Sequence, residues 1–363
     1  MSPSLLAANV YISLARCASL LQSLASSLAA SRAPTRILHV FEDEPYARTG
    51  VTLAGPARDL ERTVILISGS AISTVDLTRH VGSHPSIGVV DHVALRPLLH
   101  AELADAATSA RNIGEALGKE HGVPVYLYGA ASPTNRALDA IRRDLGYFRP
   151  SPARAESSHD AHGCVQAPES VTEASIAAAQ TARGNSAQQN RSSAPPDPTA
   201  QRPLASVPPS VPPPMPLSEP PTNPPSTPPD FGPLHPNPLK GSVAVGAAPW
   251  VYNYNIPIQV PPPITPSTMT AARRVARRVS ERGGGLLGVQ SMALVHGEGC
   301  VEIACNLSEP DAPAASRVQA AVAEGVEREG VEGARVLKGY SPGLTRQEAL
   351  LLYRDLEGRR AWM

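Results

Sequence analysis

The sequence predicts an α+β protein of two units, each a sheet with helices packed on it, separated by a disordered proline-rich insert. Three observations carry this. Up to about residue 150, short apolar or β-branched runs alternate with helical patterns, as expected for helices packed on a mixed sheet. From 151 to 229 the aromatics vanish and the chain runs into Pro212-Pro213-Pro214-Met215-Pro216 and Pro224-Pro225-Ser226-Thr227-Pro228-Pro229, too poor in apolar bulk to offset its ordering entropy. Strand and helix patterns resume at Asp230-Phe231-Gly232-Pro233. The expected divisions are 1–150, 151–229 and 230–363.

Within the first unit, Asn9-Val10-Tyr11-Ile12-Ser13-Leu14 reads as a buried strand, followed by a helix over Arg16 to Ala30. Arg36 to Phe41 and Thr49 to Gly55 are the next strands, joined through the acidic turn Glu42-Asp43-Glu44-Pro45. Arg62 to Ile67 is too uniformly apolar for its period to separate strand from helix. Ile87 to Val93 is a strand. His100 to Gly122 is the clearest helix, with an apolar stripe through Ala106, Ala110, Ile113 and Leu117 and a glycine where helices stop. Val123 to Gly129 and Arg136 to Gly146 add a strand and a short helix.

In the second unit, Gly241 to Ile258 reads as one long or bulged strand. A basic helix from Thr268 carries Arg273, Arg274, Arg277, Arg278 and Arg282, read as a solvated face opposite Ala272, Val275 and Val279. A hairpin turns at Val295-His296-Gly297-Glu298-Gly299, and helix Ala314 to Glu329, strand Ala334 to Leu337 and a helix capped by Thr345 and Glu348 complete the chain.

Lys plus Arg and Asp plus Glu balance at 32 each, which gives no electrostatic pull toward nucleic acid or an anionic membrane. No window offers the apolar length of a membrane span. Cys17, Cys164, Cys300 and Cys305 have no CxxC spacing and read as reduced thiols. The compartment expected is the cytoplasm. The first 41 residues lack an acidic side chain, a composition shared with organelle transit peptides, so organelle targeting is not excluded.

The chemistry concentrates in His80-Val81-Gly82-Ser83-His84-Pro85-Ser86-Ile87-Gly88-Val89-Val90-Asp91-His92, three imidazoles and a carboxylate punctuated by Gly and Pro. Imidazole alone titrates near neutrality without help, so such a loop suits general acid-base work. Gly82 and Pro85 argue against a helix that would aim His80 and His84 at one metal. A metal hydrolase using His80, His84 and Asp91 is the weak alternative, and no metal site is assigned.

His80-Val81-Gly82-Ser83-His84-Pro85 resembles the H-x-G-x-H-P sequence of glutamate formiminotransferases. Val123-Pro124-Val125-Tyr126-Leu127-Tyr128-Gly129 is similar to that family's V-P-V-Y-L-Y-G strand, and Asp230-Phe231-Gly232-Pro233 to its D-F-G-P segment. The three occur in the family's order, over residues 9–150 and 230–356. Leu294-Val295-His296-Gly297-Glu298-Gly299 and Arg282-Gly283-Gly284-Gly285 look most like the single-function members of plants and green algae.

The resemblance implies two ferredoxin-like α/β-sandwich subdomains whose mixed sheets face each other across a folate-type cleft. It implies transfer of a formimino or formyl group between glutamate and N5 of tetrahydrofolate as co-substrate, with no metal. His84 would be the general acid and base. Gly232, Pro233, Leu234, His235, Pro236, Asn237, Pro238, Leu239, Lys240 and Gly241 would border the folate, with Arg48 and His80 as further binding residues. A homodimer, and an SH3-like or WW-like partner for the insert, are compatible with this reading. Three departures stand out. Phe41 falls where the family has an aspartate, Ser86 where it has an arginine, and the first strand lacks the P-N-F-S-E-G turn. They leave open a catalytically silent folate-binding or interaction protein on the same scaffold.

Overall fold

The computed structural model describes residues 4–31, 34–147, 170–171, 227–309, 311 and 313–360. Apart from 170–171 and 227–229, the insert lies outside the described residues, and with it the expectation of disorder there. The first unit runs β1 (Leu5–Ile12), α1 (Ala18–Ser31), β2 (Arg36–Asp43), β3 (Arg48–Gly55), α2 (Ala57–Thr74), β4 (Val90–Leu99), α3 (Leu103–His121), β5 (Val125–Gly129) and α4 (Leu138–Asp144). A two-residue β6 (Ser170–Val171) and β7 (Val243–Ala247) follow. The second runs β8 (Val251–Gln259), α5 (Pro266–Val279), β9 (Val289–Val295), β10 (Cys300–Ser308), α6 (Ala315–Glu329) and β11 (Arg335–Val336), before α7 (Arg346–Arg360).

Both units repeat one plan. The first six elements, β-α-β-β-α-β, pair in the order β4-β1-β3-β2, and the second unit pairs as β11-β8-β10-β9. In each the order is fourth, first, third, second, with every neighbour antiparallel, which is the ferredoxin-like arrangement. The first sheet is then extended past β4 by β7 and β5, both parallel, and becomes mixed. The second sheet stays antiparallel, where mixed sheets were expected in both.

The apolar run Val64-Ile65-Leu66-Ile67, ambiguous by period, is helical. Leu60, Val64, Ile67 and Ala71 make the buried stripe of α2, while Leu66 is exposed. The stripe wins because three- and four-residue spacing places those four on one face toward the sheet. α3 ends as its sequence suggests, on Gly122 in the left-handed conformation at φ 62°. The single strand expected over 241–258 is corrected. Val243–Ala247 inserts between β4 and β5 of the first sheet, and after Pro249 the chain crosses to start β8 in the second.

One face of the first sheet is covered by α1, α2 and α3 through Leu6, Ala8, Val10 and Ile12 of β1. The opposite face is shared. At one end α7 closes it, with Ala349 and Tyr353 against Leu5, Ala7, Leu38 and Ala54. Farther along β1, Tyr11 Oη donates to Asn253 Oδ1 of β8 at 3.4 Å, so the second sheet covers the other end. The two-residue period of a strand thus separates a core face from a face that lines the junction of the units.

Candidate active site between the two sheets

After α2, a single 3₁₀ turn, Leu77–Arg79, is opened by Asp76, whose carboxylate accepts from the Thr78 amide at 3.0 Å. The chain from 80 to 89 then has no ladder of its own and is held at both ends. At one end the Ser83 amide and hydroxyl donate to the Pro45 carbonyl at 3.1 and 3.0 Å, in the turn between β2 and β3. Gly82 lies so close to that turn that a Cβ would sit 2.4 Å from the Tyr46 carbonyl oxygen. At the other end Gly88 pairs with Gly241, the Val89 amide donating to Lys240 O at 2.9 Å and the Ser242 amide to Ile87 O at 2.8 Å. A Cβ on Gly88 would meet Ser242 O at 2.1 Å, so only glycine fits.

This staple aims His84, half-buried, at the start of β3. Its Nδ1 is 2.7 Å from Arg48 Nη1 and 2.8 Å from the Pro85 carbonyl. The nitrogen satisfies one of these at a time: unprotonated it accepts from Arg48, protonated it donates to Pro85. Burial, reinforced by the Arg48 charge, holds the His84 pKa well below the ordinary imidazole value, against the opposing pull of Asp91. The imidazole is therefore neutral at neutral pH.

Behind it Asp91, buried at the second position of strand β4, accepts from Arg48 Nη2 at 2.9 Å, Arg142 Nη2 at 2.6 Å and the Ile87 amide at 3.1 Å. Burial opposes its charge, but Arg142 and Arg48 outweigh that and hold the carboxyl well below its usual range. His92 stacks on Tyr11 at 4.3 Å, and burial pushes its pKa down to about 3. With both histidines neutral, two guanidiniums face one carboxylate among the described residues, which leaves a surplus positive charge beside His84.

The residues expected at a site are brought together only in part. Arg48 meets His84 directly. Gly241 and Lys240 join the loop at Gly88, and the Lys240 ammonium donates to His121 O at 2.9 Å. Gly232 packs instead against Val123 and Gly118 at the end of α3, and Leu234, His235, Pro236, Asn237, Pro238 and Leu239 are exposed. His80 turns its Nδ1 to Ser13 O at 3.0 Å. Asp91 is engaged by two arginines, and no group of three or more His, Cys, Asp or Glu among the described residues is arranged to hold a metal. Phe41 stacks on Tyr340 at 6.1 Å, and Ser86 pairs with Ser13 at 2.5 Å.

Arg142, Tyr46 and Tyr147 carried no signal in the sequence, because nothing local marks a side chain whose partner is 51 or 256 residues away. Tyr46 and Tyr147 close on His84 edge-on at 5.1 and 6.1 Å. From the second unit, His296 and Glu302 reach Asp43 and Tyr46.

A family model described as the formiminotransferase domain, N-terminal subdomain, matches residues 5–248. A formiminotransferase cyclodeaminase-like protein of Arabidopsis thaliana is 34% identical over 353 residues, 96% of this chain and 96% of its own. A glutamate formimidoyltransferase of Thermoplasma acidophilum is 30% identical over 109 residues, 30% of this chain and 36% of its own. The formimidoyltransferase-cyclodeaminase of Sus scrofa is 31% identical over 121 residues, 32% of this chain and 22% of its own.

Proposed function

The chain belongs to the formiminotransferase family, and from that premise we propose that it moves a formimino or formyl group between glutamate and N5 of tetrahydrofolate. The observation that supports this best is His84 itself: a neutral imidazole, half-buried, in contact with a cation and with Tyr46, whose ring also meets His296 of the second unit. His84 accepts the proton that N5 releases as the N5–carbon bond forms, and returns it to the glutamate nitrogen as the carbon–nitrogen bond breaks. Its depressed pKa makes the imidazolium a strong acid for that second step. Asp91, held ionised by Arg48 and Arg142, offsets part of the imidazolium charge.

The surplus charge of Arg48 and Arg142 suits a donor that carries carboxylates. Gly232–Gly241 is the segment proposed to border the folate, because its end enters the His84 loop at Gly88. A second reading, a folate-binding scaffold without turnover, draws on Phe41 and Ser86, whose side chains here go to packing and to a serine pair.

Calorimetric titration of wild type and His84→Ala with tetrahydrofolate, followed by turnover with formimino-glutamate, tests both. Binding by both with turnover only by wild type is the expected result. Binding without turnover by either selects the silent scaffold, and no binding overturns the folate reading.

A further inference from the structure

We propose that His296 and Glu302, both from the second unit, are positioning residues for His84: they hold the turn between β2 and β3 from one side while the His84 loop is fastened to its other side. The inference deepens the transfer reading and rests on it.

The hold begins at Asp43, the last residue of β2 and two along from Phe41, hence on the same face of the strand. Both oxygens of Asp43 accept from His296 Nε2 at 3.1 Å, in a pair exposed by no more than 3%. Asp43 Oδ1 also accepts the Tyr46 amide at 3.0 Å, which sets the shape of the turn. The Tyr46 hydroxyl donates to Glu302 Oε2 at 2.6 Å. Glu302 is fully buried and takes two more donors, Asn255 Nδ2 at 2.9 Å and Tyr340 Oη at 2.6 Å, which secure it in turn.

Three routes lead from this turn to His84. The Tyr46 ring is edge-on to His296 at 4.6 Å and to His84 at 5.1 Å. The Pro45 carbonyl receives both donors of Ser83, the residue before His84. Arg48, two residues after Tyr46, donates to His84. His296 and Glu302 therefore act on His84 through the turn from Asp43 to Arg48, which the second unit clamps at Asp43 and Tyr46. Loss of the His296 side chain would leave both oxygens of Asp43 buried without that donor, and the units would part at this point.

The test uses the full chain labelled at histidine Cε1. It follows the His84 resonance, assigned with His84→Ala, through a pH titration, with the titratable neighbours Arg48, Arg142, Asp91, His92, Tyr46 and Tyr147 left intact in the His296 variants. His296→Ala is expected to raise the His84 midpoint toward the ordinary imidazole value of about 6.5, as the loop leaves Arg48 and takes up water. In turnover, kcat is expected to fall by about a hundredfold with the folate KM little changed, as displacement of an oriented group implies. His296→Gln keeps a donor aimed at Asp43 and should restore both readouts. If His296→Ala does not fold, Tyr46→Phe cuts only the bond to Glu302 and should move the midpoint in the same direction. An unchanged His84 titration in the folded variant overturns the proposal. A shifted titration in a protein whose wild type shows no turnover supports the coupling and overturns the transferase reading instead.

Discussion

Arg48 donates from one guanidinium nitrogen to His84 at 2.7 Å and from the other to Asp91 at 2.9 Å. One cation thus touches both the group proposed to carry a proton and the carboxylate that balances it. Its contact with His84 disfavours the imidazolium, so removal of the cation raises the His84 pKa. In wild type the acid limb of kcat/KM is expected to lie below about pH 6.5, and in Arg48→Gln to move up toward it. A pH profile of kcat/KM for the two proteins checks the sign.

His92 sets a different pH dependence. Its folded pKa is pushed down to about 3 by burial, so below the unfolded value of about 6.5 the unfolded chain binds more protons and stability falls as pH falls. The window runs from about pH 6.5 to about 3, with a slope approaching 1.4 kcal/mol per pH unit from this group. His296 has the opposite sign. Burial works against its charge, but the Asp43 hydrogen bond and Glu302 outweigh that and raise its pKa. Its contribution is complete below about pH 6.5 and is lost as pH rises through the folded value. Urea midpoints across pH for wild type, His92→Gln and His296→Gln separate the two: the first variant should flatten the acid slope and the second the alkaline one.

Arg142→Gln removes one of two cations from Asp91 and the surplus charge beside His84. The expected result is a rise of about tenfold or more in KM for the carboxylate-bearing donor, the loss of one charge-assisted bond, with tetrahydrofolate affinity little changed. Steady-state kinetics with each substrate varied in turn measures it.

Gly88→Ala would place a Cβ 2.1 Å from Ser242 O and force the His84 loop away from Gly241. The strain is expected to cost about 1–3 kcal/mol of stability and to lower turnover together. By contrast Leu60→Ala, in the buried stripe of α2 far from the loop, should cost about 2–5 kcal/mol with kcat unchanged in the folded fraction. Denaturant unfolding alongside kinetics tells these two apart.

Much of the architecture was legible because it rests on local rules. Gly122 ends α3 in the left-handed conformation, Thr345 and Glu348 cap α7 reciprocally, and Ala272, Val275 and Val279 bury the face of α5 opposite its arginines. The His84 loop stood out for the same reason, as a dense run of imidazoles between breakers. Val243–Ala247 reads in sequence as the start of a longer strand, because an apolar run reports burial without naming the sheet that buries it, whereas it pairs with β4 and β5. The 62–67 run could not be assigned by itself, since only the partner surface shows that Leu66 faces water while Val64 and Ile67 face the core.

What the sequence by itself determined is therefore the class of most elements, the loop with His84 and the family likeness, which in turn implied the ferredoxin-like plan. Periodicity, caps and motifs are written within about a dozen neighbouring residues. The tertiary structure alone decided which side chains meet: Arg142 with Asp91 across 51 residues, and His296 with Asp43 across 253. Those contacts set the charge and the pKa of the site, because electrostatic work depends on distance and burial in space, and neither is a property of position along the chain.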